Sequence, residues 1–214
     1  MAEDGAPEPV MSGGAAAAAD PLDPALRVRL AELSEEGWEI WRRFDVEVRR
    51  NQWHPFVAAD YDSVLQILLR LRAPGLRFLE WGSATGVITI MADLLGYEAY
   101  GIELDPQLVD MARDLAQRFD SRARFAAGSF LPAGYRYRSR TGDDRIGTIG
   151  VGESAYPQLR HPLEDFDVVY GFPWHGEEPM MLDLMRAYGG SGARLIVHGG
   201  SEGIRVFRNG RREI

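Results

Sequence analysis

The stretch Leu76 to Gly86, L-R-F-L-E-W-G-S-A-T-G, constrains the fold more than any other part of the chain. Bulky apolar residues end in Glu80. Gly82 and Gly86 then bracket three small residues, before a helix-like apolar run from Val87 to Leu95. That order describes a buried strand, a tight glycine turn and the start of a helix. Glycine serves such a turn because a ligand or the helix backbone comes closer there than a Cβ would allow. In an open α/β sheet the same turn borders the ligand crevice.

Charge and spacing narrow the ligand. With Gly82 as the first glycine of G-x-G-x-x-G, the second and third positions hold Ala84 and Val87, so the dinucleotide signature fails twice. The short-chain dehydrogenase spacing would need glycine at Ile88 and, by its family pattern, a catalytic lysine; the chain has no lysine. The same absence removes a phosphate-binding P-loop. A carboxylate at Glu80, beside the turn, repels a pyrophosphate and attracts a cation. S-adenosylmethionine carries a sulfonium and an ammonium.

Glu80-Trp81-Gly82-Ser83-Ala84-Thr85-Gly86 resembles the first motif of the class I S-adenosylmethionine-dependent methyltransferases, and Ala99-Tyr100-Gly101-Ile102-Glu103-Leu104-Asp105 resembles their second. The resemblance runs from about Leu76 to His198. It implies an α/β fold with a Rossmann-like, mostly parallel sheet and helices on both faces, and methyl transfer from S-adenosylmethionine as the activity. It also implies roles. Glu80, Gly82, Ser83 and Gly86 would hold the methionine end, Glu103 the ribose hydroxyls, and Ser129 and Phe130 the adenine. Gly171-Phe172-Pro173-Trp174-His175 resembles the Asn/Asp-Pro-Pro-aromatic motif of amino-group methylases, but Gly171 and Phe172 replace its polar acceptor and first proline. Trp174 and His175 are then the residues expected to face the acceptor.

Three segments follow from the rest of the chain. Met1 to Pro24 is rich in Ala, Gly, Pro and acid, and is expected to be a disordered tail over 1–24. Residues 25–74 form a helical segment: apolar residues recur at three to four between Leu26 and Val48, with a break near Gly37, and again from Val64 to Leu71, with Asp60 or Asp62 as cap. Trp38, Trp41 and Trp53 read as packing aromatics, and His54-Pro55-Phe56 as a segment that folds over the ligand. Residues 75–214 form the cofactor-binding domain.

Strands are expected at Arg77 to Trp81, Ala99 to Glu103, Ala123 to Ala126, Asp165 to Tyr170 and Ala193 to His198. Helices are expected at Val87 to Leu95, Pro106 to Phe119 and Gly176 to Tyr188, the last with Glu177 and Glu178 complementing its dipole. The glycine- and proline-rich stretch 131–164 reads as a long loop, either a specificity element with a small hairpin or a surface insertion. After His198 there is room for little more than a strand at Ile204 to Phe207.

Histidines at the ends of strands are candidate bases, so His175 and His198 both qualify. His161, His175 and Glu178 lack the spacing of a metal site, and no metal is expected. The chain has no cysteine, which removes disulfides, thiol nucleophiles and iron–sulfur clusters. Of its formal charge of −8, five acids lie in Met1 to Pro24, which leaves a slightly acidic body that argues against bulk nucleic-acid binding. The Arg136/Arg138/Arg140 cluster is the exception. Without a signal peptide or an apolar run of ~20 residues, a cytoplasmic protein is expected. The acceptor is then a small molecule or a protein; a non-catalytic binding module and an NAD(P)-dependent oxidoreductase are the alternatives.

Overall fold

The computed structural model describes residues 22–49, 56–136, 152–174, 176–199 and 203–214. Seven strands form one sheet: β1 (Arg77–Trp81), β2 (Glu98–Glu103), β3 (Arg124–Ala127), β4 (Val168–Gly171), β5 (Arg194–His198), β6 (Ile204–Arg208) and β7 (Arg211–Arg212). Their order is β3-β2-β1-β4-β5-β6-β7. The first five run parallel, and β6 and β7 are antiparallel. This is the Rossmann-like sheet that the alternation of strand and helix implies. The order reverses between β1 and β4, so the crevice beyond their carboxyl ends is where such a sheet takes a ligand.

Helices cover both faces. α1 (Pro24–Phe44), α2 (Tyr61–Leu71), α3 (Val87–Leu94) and α4 (Pro106–Arg118) share a core with Phe78, Val168, Tyr170 and Ile196. α5 (Tyr156–Leu159) and α6 (Glu178–Tyr188) cover the opposite face, against Leu79, Trp81, Val169 and Leu195. Leu30 and Leu33 of α1 are fully buried, and such burial contributes about 1.5–3 kcal/mol per side chain. Asp23, Asp60 and Asp105 cap α1, α2 and α4 through their side chains, with proline first in α1 and α4. Strand alternation puts Glu80, Tyr170 and His198 on the face that carries α1 to α4.

The structure differs from the sequence expectations in several places. Leu22, Asp23 and Pro24 belong to α1 and its approach rather than to the tail, while 1–21 lie outside the described residues. α1 runs unbroken through Gly37 and gives way only at a π-helical turn, Asp45–Arg49. Gly37 permits close packing rather than a break. A Cβ there would lie 2.8 Å from Val87 Cγ2 and 3.0 Å from the Tyr61 ring.

Further along, β4 begins at Val168, because Leu163–Asp165 coil into a 3₁₀ turn. The stretch 131–164 is not simply loop: Ala155, Tyr156, Leu159 and Leu163 are buried, and Ser129 bridges to Ser154. Residues 137–151, which include the expected Arg145 to Thr148 piece, half of the Tyr135 to Arg138 piece (Tyr137 and Arg138) and Arg140, lie outside the described residues. The end of the chain makes a full hairpin, since Asn209 and Gly210 both adopt positive φ, +50° and +73°, as a two-residue turn requires.

Candidate functional site

A cavity of about 470 Å³ opens at the carboxyl ends of β1, β2 and β4. Its charged lining residues, among the described residues, are Glu80, Glu103 and Asp105, all acidic. Phe56, Tyr61, Tyr170, Phe172 and Trp174 supply much of the remaining wall.

Glu80 is almost fully buried at the end of β1. Its Oε2 accepts from Thr89 N at 2.9 Å and from Thr89 Oγ1 at 2.5 Å. Gly86, the N-cap residue of α3, offers no side chain to that helix, so Glu80 caps α3 from across the turn. Burial pushes the Glu80 carboxyl up to about 8, with the Thr89 bonds opposing and the Glu103 charge adding. A cation bound beside it would reverse that shift.

Glu103 closes the other side of the turn. Its Oε2 accepts from Ala84 N at 2.9 Å and its Oε1 from Asp105 N at 3.0 Å. Burial raises its carboxyl, against the backbone N–H groups of Asp105, Ala84 and Leu104. Gly82 N and Ser83 N both donate to Ile102 O at 2.9 Å, so the turn is tied to β2 by backbone and side chain together. Ala84 is held at φ +44°, a position in which a non-glycine residue is strained.

The two glycines differ. Gly82, at φ +71°, has nothing within 4 Å of where a Cβ would stand, and it borders the cavity. Gly86, at φ +79°, is not part of the lining; a Cβ there would lie 2.6 Å from the Phe125 ring and 2.8 Å from Ala112 Cβ. Ser83 borders the cavity, and its Oγ is buried with no hydrogen-bond partner. An orphaned hydroxyl, a bare glycine wall and two carboxylates make a site that fits a ligand with an ammonium and a diol.

Phe130 lines the cavity and stacks on Trp81 at 5.3 Å. Ser129 lies behind it, outside the lining, with its Oγ accepting from Leu131 N at 3.1 Å. Trp174 borders the cavity, and its backbone N–H donates to Oε2 of Glu177 at 2.8 Å. Glu177 stands at the N-cap of α6, fully buried, while Glu178 pairs with Arg205 at 2.5 Å. His175 and His54-Pro55, like Trp53, lie outside the described residues; Phe56 is within them and lines the cavity. Trp38 and Trp41 pack edge to face at 6.1 Å, and Trp38 meets Tyr61.

Of the remaining histidines, His161 pairs with Asp165 at 2.9 Å and is not in the lining. Among the described residues no group of three metal-ligating side chains comes together. His198 is buried against Tyr170, its Nδ1 at 3.0 Å from the phenol oxygen, with the Phe172 ring stacked on it at 4.5 Å. Single-residue reading finds His198 but not its partner, since the pairing depends on the register that sets Tyr170 opposite Ile196.

No protein-family model matches the chain. It is 30% identical over 115 residues to the ribosomal protein L11 methyltransferase of Thermus thermophilus, a match that covers 52% of this chain and 44% of the relative. The chain thus spans less than half of that relative's length. Among solved structures it is similar to an O-methyltransferase from Bacillus cereus in complex with S-adenosylhomocysteine, at 16% identity and a TM-score of 0.49, over 83% of this chain and 66% of that one. It is also similar to an RNA methyltransferase from Salinibacter ruber in complex with S-adenosyl-L-homocysteine, at 16% identity and a TM-score of 0.47, over 66% and 76%. The resemblance to class I S-adenosylmethionine-dependent methyltransferases, drawn from the two motifs, agrees with this sequence relative and with the observed strand order. Among the described residues no helix is long and apolar enough to cross a membrane.

Proposed function

We propose that the chain is an S-adenosylmethionine-dependent methyltransferase acting on a small-molecule or protein acceptor by direct in-line transfer. The observation that carries the reading is the pair of carboxylates, Glu80 buried and Glu103 half-buried, held on either side of one glycine turn and bordering one cavity. Glu80 would take the cofactor's ammonium, Ser83 and the backbone around Gly82 its amino-acid end, Glu103 the ribose hydroxyls, and Phe130 the adenine ring. In this reading Gly86 and Ser129 act from behind, one by letting α3 pack and the other by shaping the turn that presents Phe130.

The bound cofactor supplies an electrophilic methyl on sulfonium. The chain's own residues bind, orient and exclude water. Trp174, with His175 beside it in sequence, would face the acceptor. The wholly acidic set of described charged lining residues supports an acceptor without phosphates, so a nucleic acid is disfavoured.

Calorimetric titration with S-adenosylhomocysteine tests this. Wild-type protein is expected to bind at micromolar strength, about −8 kcal/mol, and Glu103→Ala to lose at least about 100-fold. Part of that loss comes from freeing the Ala84 N–H, so Glu103→Gln, which keeps an acceptor, is expected to fall between. Binding of NAD with none of S-adenosylhomocysteine would overturn the reading in favour of an oxidoreductase. Tight cofactor binding without methyl transfer to any acceptor pool would favour a non-catalytic module.

A further inference from the structure

The end of the cavity away from Glu103 contains a buried polar cluster that cofactor binding does not use. Tyr170 of β4 is both part of the cavity wall and hydrogen-bonded to His198 of β5 at 3.0 Å. Phe172, on the same wall, stacks on the imidazole at 4.5 Å and fixes its plane. Phe56, Tyr61 and Trp174 add aromatic rings to the lining, among aliphatic residues such as Val57, Pro173 and Met181, and no basic side chain joins them among the described residues.

We infer that the acceptor is a small aromatic hydroxyl compound and that Tyr170 and His198 together take its proton. The inference rests on the methyltransferase reading of the same cavity. A neutral aromatic acceptor suits walls of aromatic rings beside three carboxylates, where an anionic one does not.

The acceptor O–H proton passes to Tyr170 Oη as the Tyr170 proton passes to His198 Nδ1. The acceptor oxygen forms its bond to the methyl carbon while the carbon–sulfur bond breaks and its electron pair stays on sulfur. The imidazolium then returns its proton to solvent. Tyr170 is the group in reach of the acceptor, and His198 is a positioning residue that acts through it.

The charges around the pair fit this direction. Burial raises the Tyr170 phenol, with Glu80 of β1, Tyr61 of α2 and Asp60 adding, so Tyr170 keeps its proton, and the inferred relay uses the imidazole tautomer whose Nδ1 accepts it. Burial lowers His198, leaving its Nδ1 free to accept, while the Asp60 charge favours the imidazolium once formed. On the far side Glu178 of α6 and Arg205 of β6 are paired with each other.

The test uses 4-nitrophenol, whose phenolate is coloured, added to the full chain saturated with S-adenosylhomocysteine. At a pH about one unit below the free probe's ionisation, the bound probe is expected to show about a fivefold larger phenolate fraction than free probe. The ¹⁵N imidazole signals of His198 should move from neutral to imidazolium in the same titration, a readout that needs no variant. Tyr170→Phe and His198→Gln are expected to bind S-adenosylhomocysteine within about twofold of wild type and to hold the probe un-ionised. Probe bound with an unchanged phenolate fraction, or no probe binding at millimolar concentration to protein that binds S-adenosylhomocysteine, overturns the inference. Failure to bind S-adenosylhomocysteine itself would instead sink the underlying methyltransferase reading.

Discussion

Replacing Gly86 with alanine is expected to destabilise the fold by about 2–5 kcal/mol. Two independent costs add. Gly86 sits at φ +79°, where a Cβ meets the following carbonyl, and the new methyl would stand 2.6 Å from the Phe125 ring and 2.8 Å from Ala112 Cβ. Neither neighbour is a flexible side-chain end, since Phe125 lies in β3 and Ala112 in α4, both buried. For a chain of 214 residues the loss corresponds to a fall in Tm of about 5–15 °C. Thermal melts and urea midpoints check it, the m-value staying constant if only the native state is affected.

Gly82→Ala separates the two glycines of one motif. Its backbone strain is of the same kind, φ +71°, but nothing stands within 4 Å of the new methyl. About 1–2 kcal/mol of stability should go, and the methyl then occupies cavity space. S-adenosylhomocysteine binding should fall in Gly82→Ala by more than its stability loss suggests. In Gly86→Ala, whatever fraction remains folded should bind nearly normally. A result with the roles exchanged would mean that Gly86, not Gly82, makes the close approach to ligand.

That contrast shows how much of the site is legible in the sequence. The strand, the acid, the glycine pair and the second acid at Glu103 are readable because each is a local requirement of residue type and spacing. Their division of labour is not. Whether a glycine is bare for a ligand or for a neighbouring helix depends on what packs opposite, and Phe125 is about forty residues from Gly86. Gly37 misleads for the same reason, since a helix breaker and a close helix contact look alike in sequence.

The Tyr170–His198 pair needs the register of β4 on β5 before it exists at all. The closing hairpin, by contrast, is written locally in Asn209-Gly210. Counting only the residues left after His198 understates what a two-residue turn can build.

Glu80→Gln should move stability and binding in opposite directions. Folding raises the Glu80 carboxyl from near 4.5 to about 8, chiefly through burial. The folded state therefore prefers the protonated form. Stability from this group is full below about pH 4.5, declines as pH rises and is gone above about pH 8. Glutamine carries no charge to bury, and its carbonyl can still accept from Thr89, so the cap on α3 survives. The ligand-free variant is expected to be more stable than wild type by on the order of 3 kcal/mol at pH 8 and nearly equal to it below pH 4.5.

Binding should run the other way. A ligand ammonium stabilises the Glu80 carboxylate and lowers its pKa, so at pH 6–7, below the Glu80 value of about 8, wild type must release close to one proton as it binds S-adenosylhomocysteine. Calorimetry in buffers of different ionisation heat reads that proton directly. Affinity should climb with pH towards about 8 in wild type and stay flat in Glu80→Gln, with a loss of about 100-fold at pH 8 from the missing charge-assisted contact. Stabilisation without loss of affinity would leave Glu80 as the cap of α3 alone, and the ammonium site would have to lie elsewhere in the cavity. Stabilisation with loss of affinity and of proton release would identify Glu80 as a residue kept charged at a cost to the fold because a cation binds there.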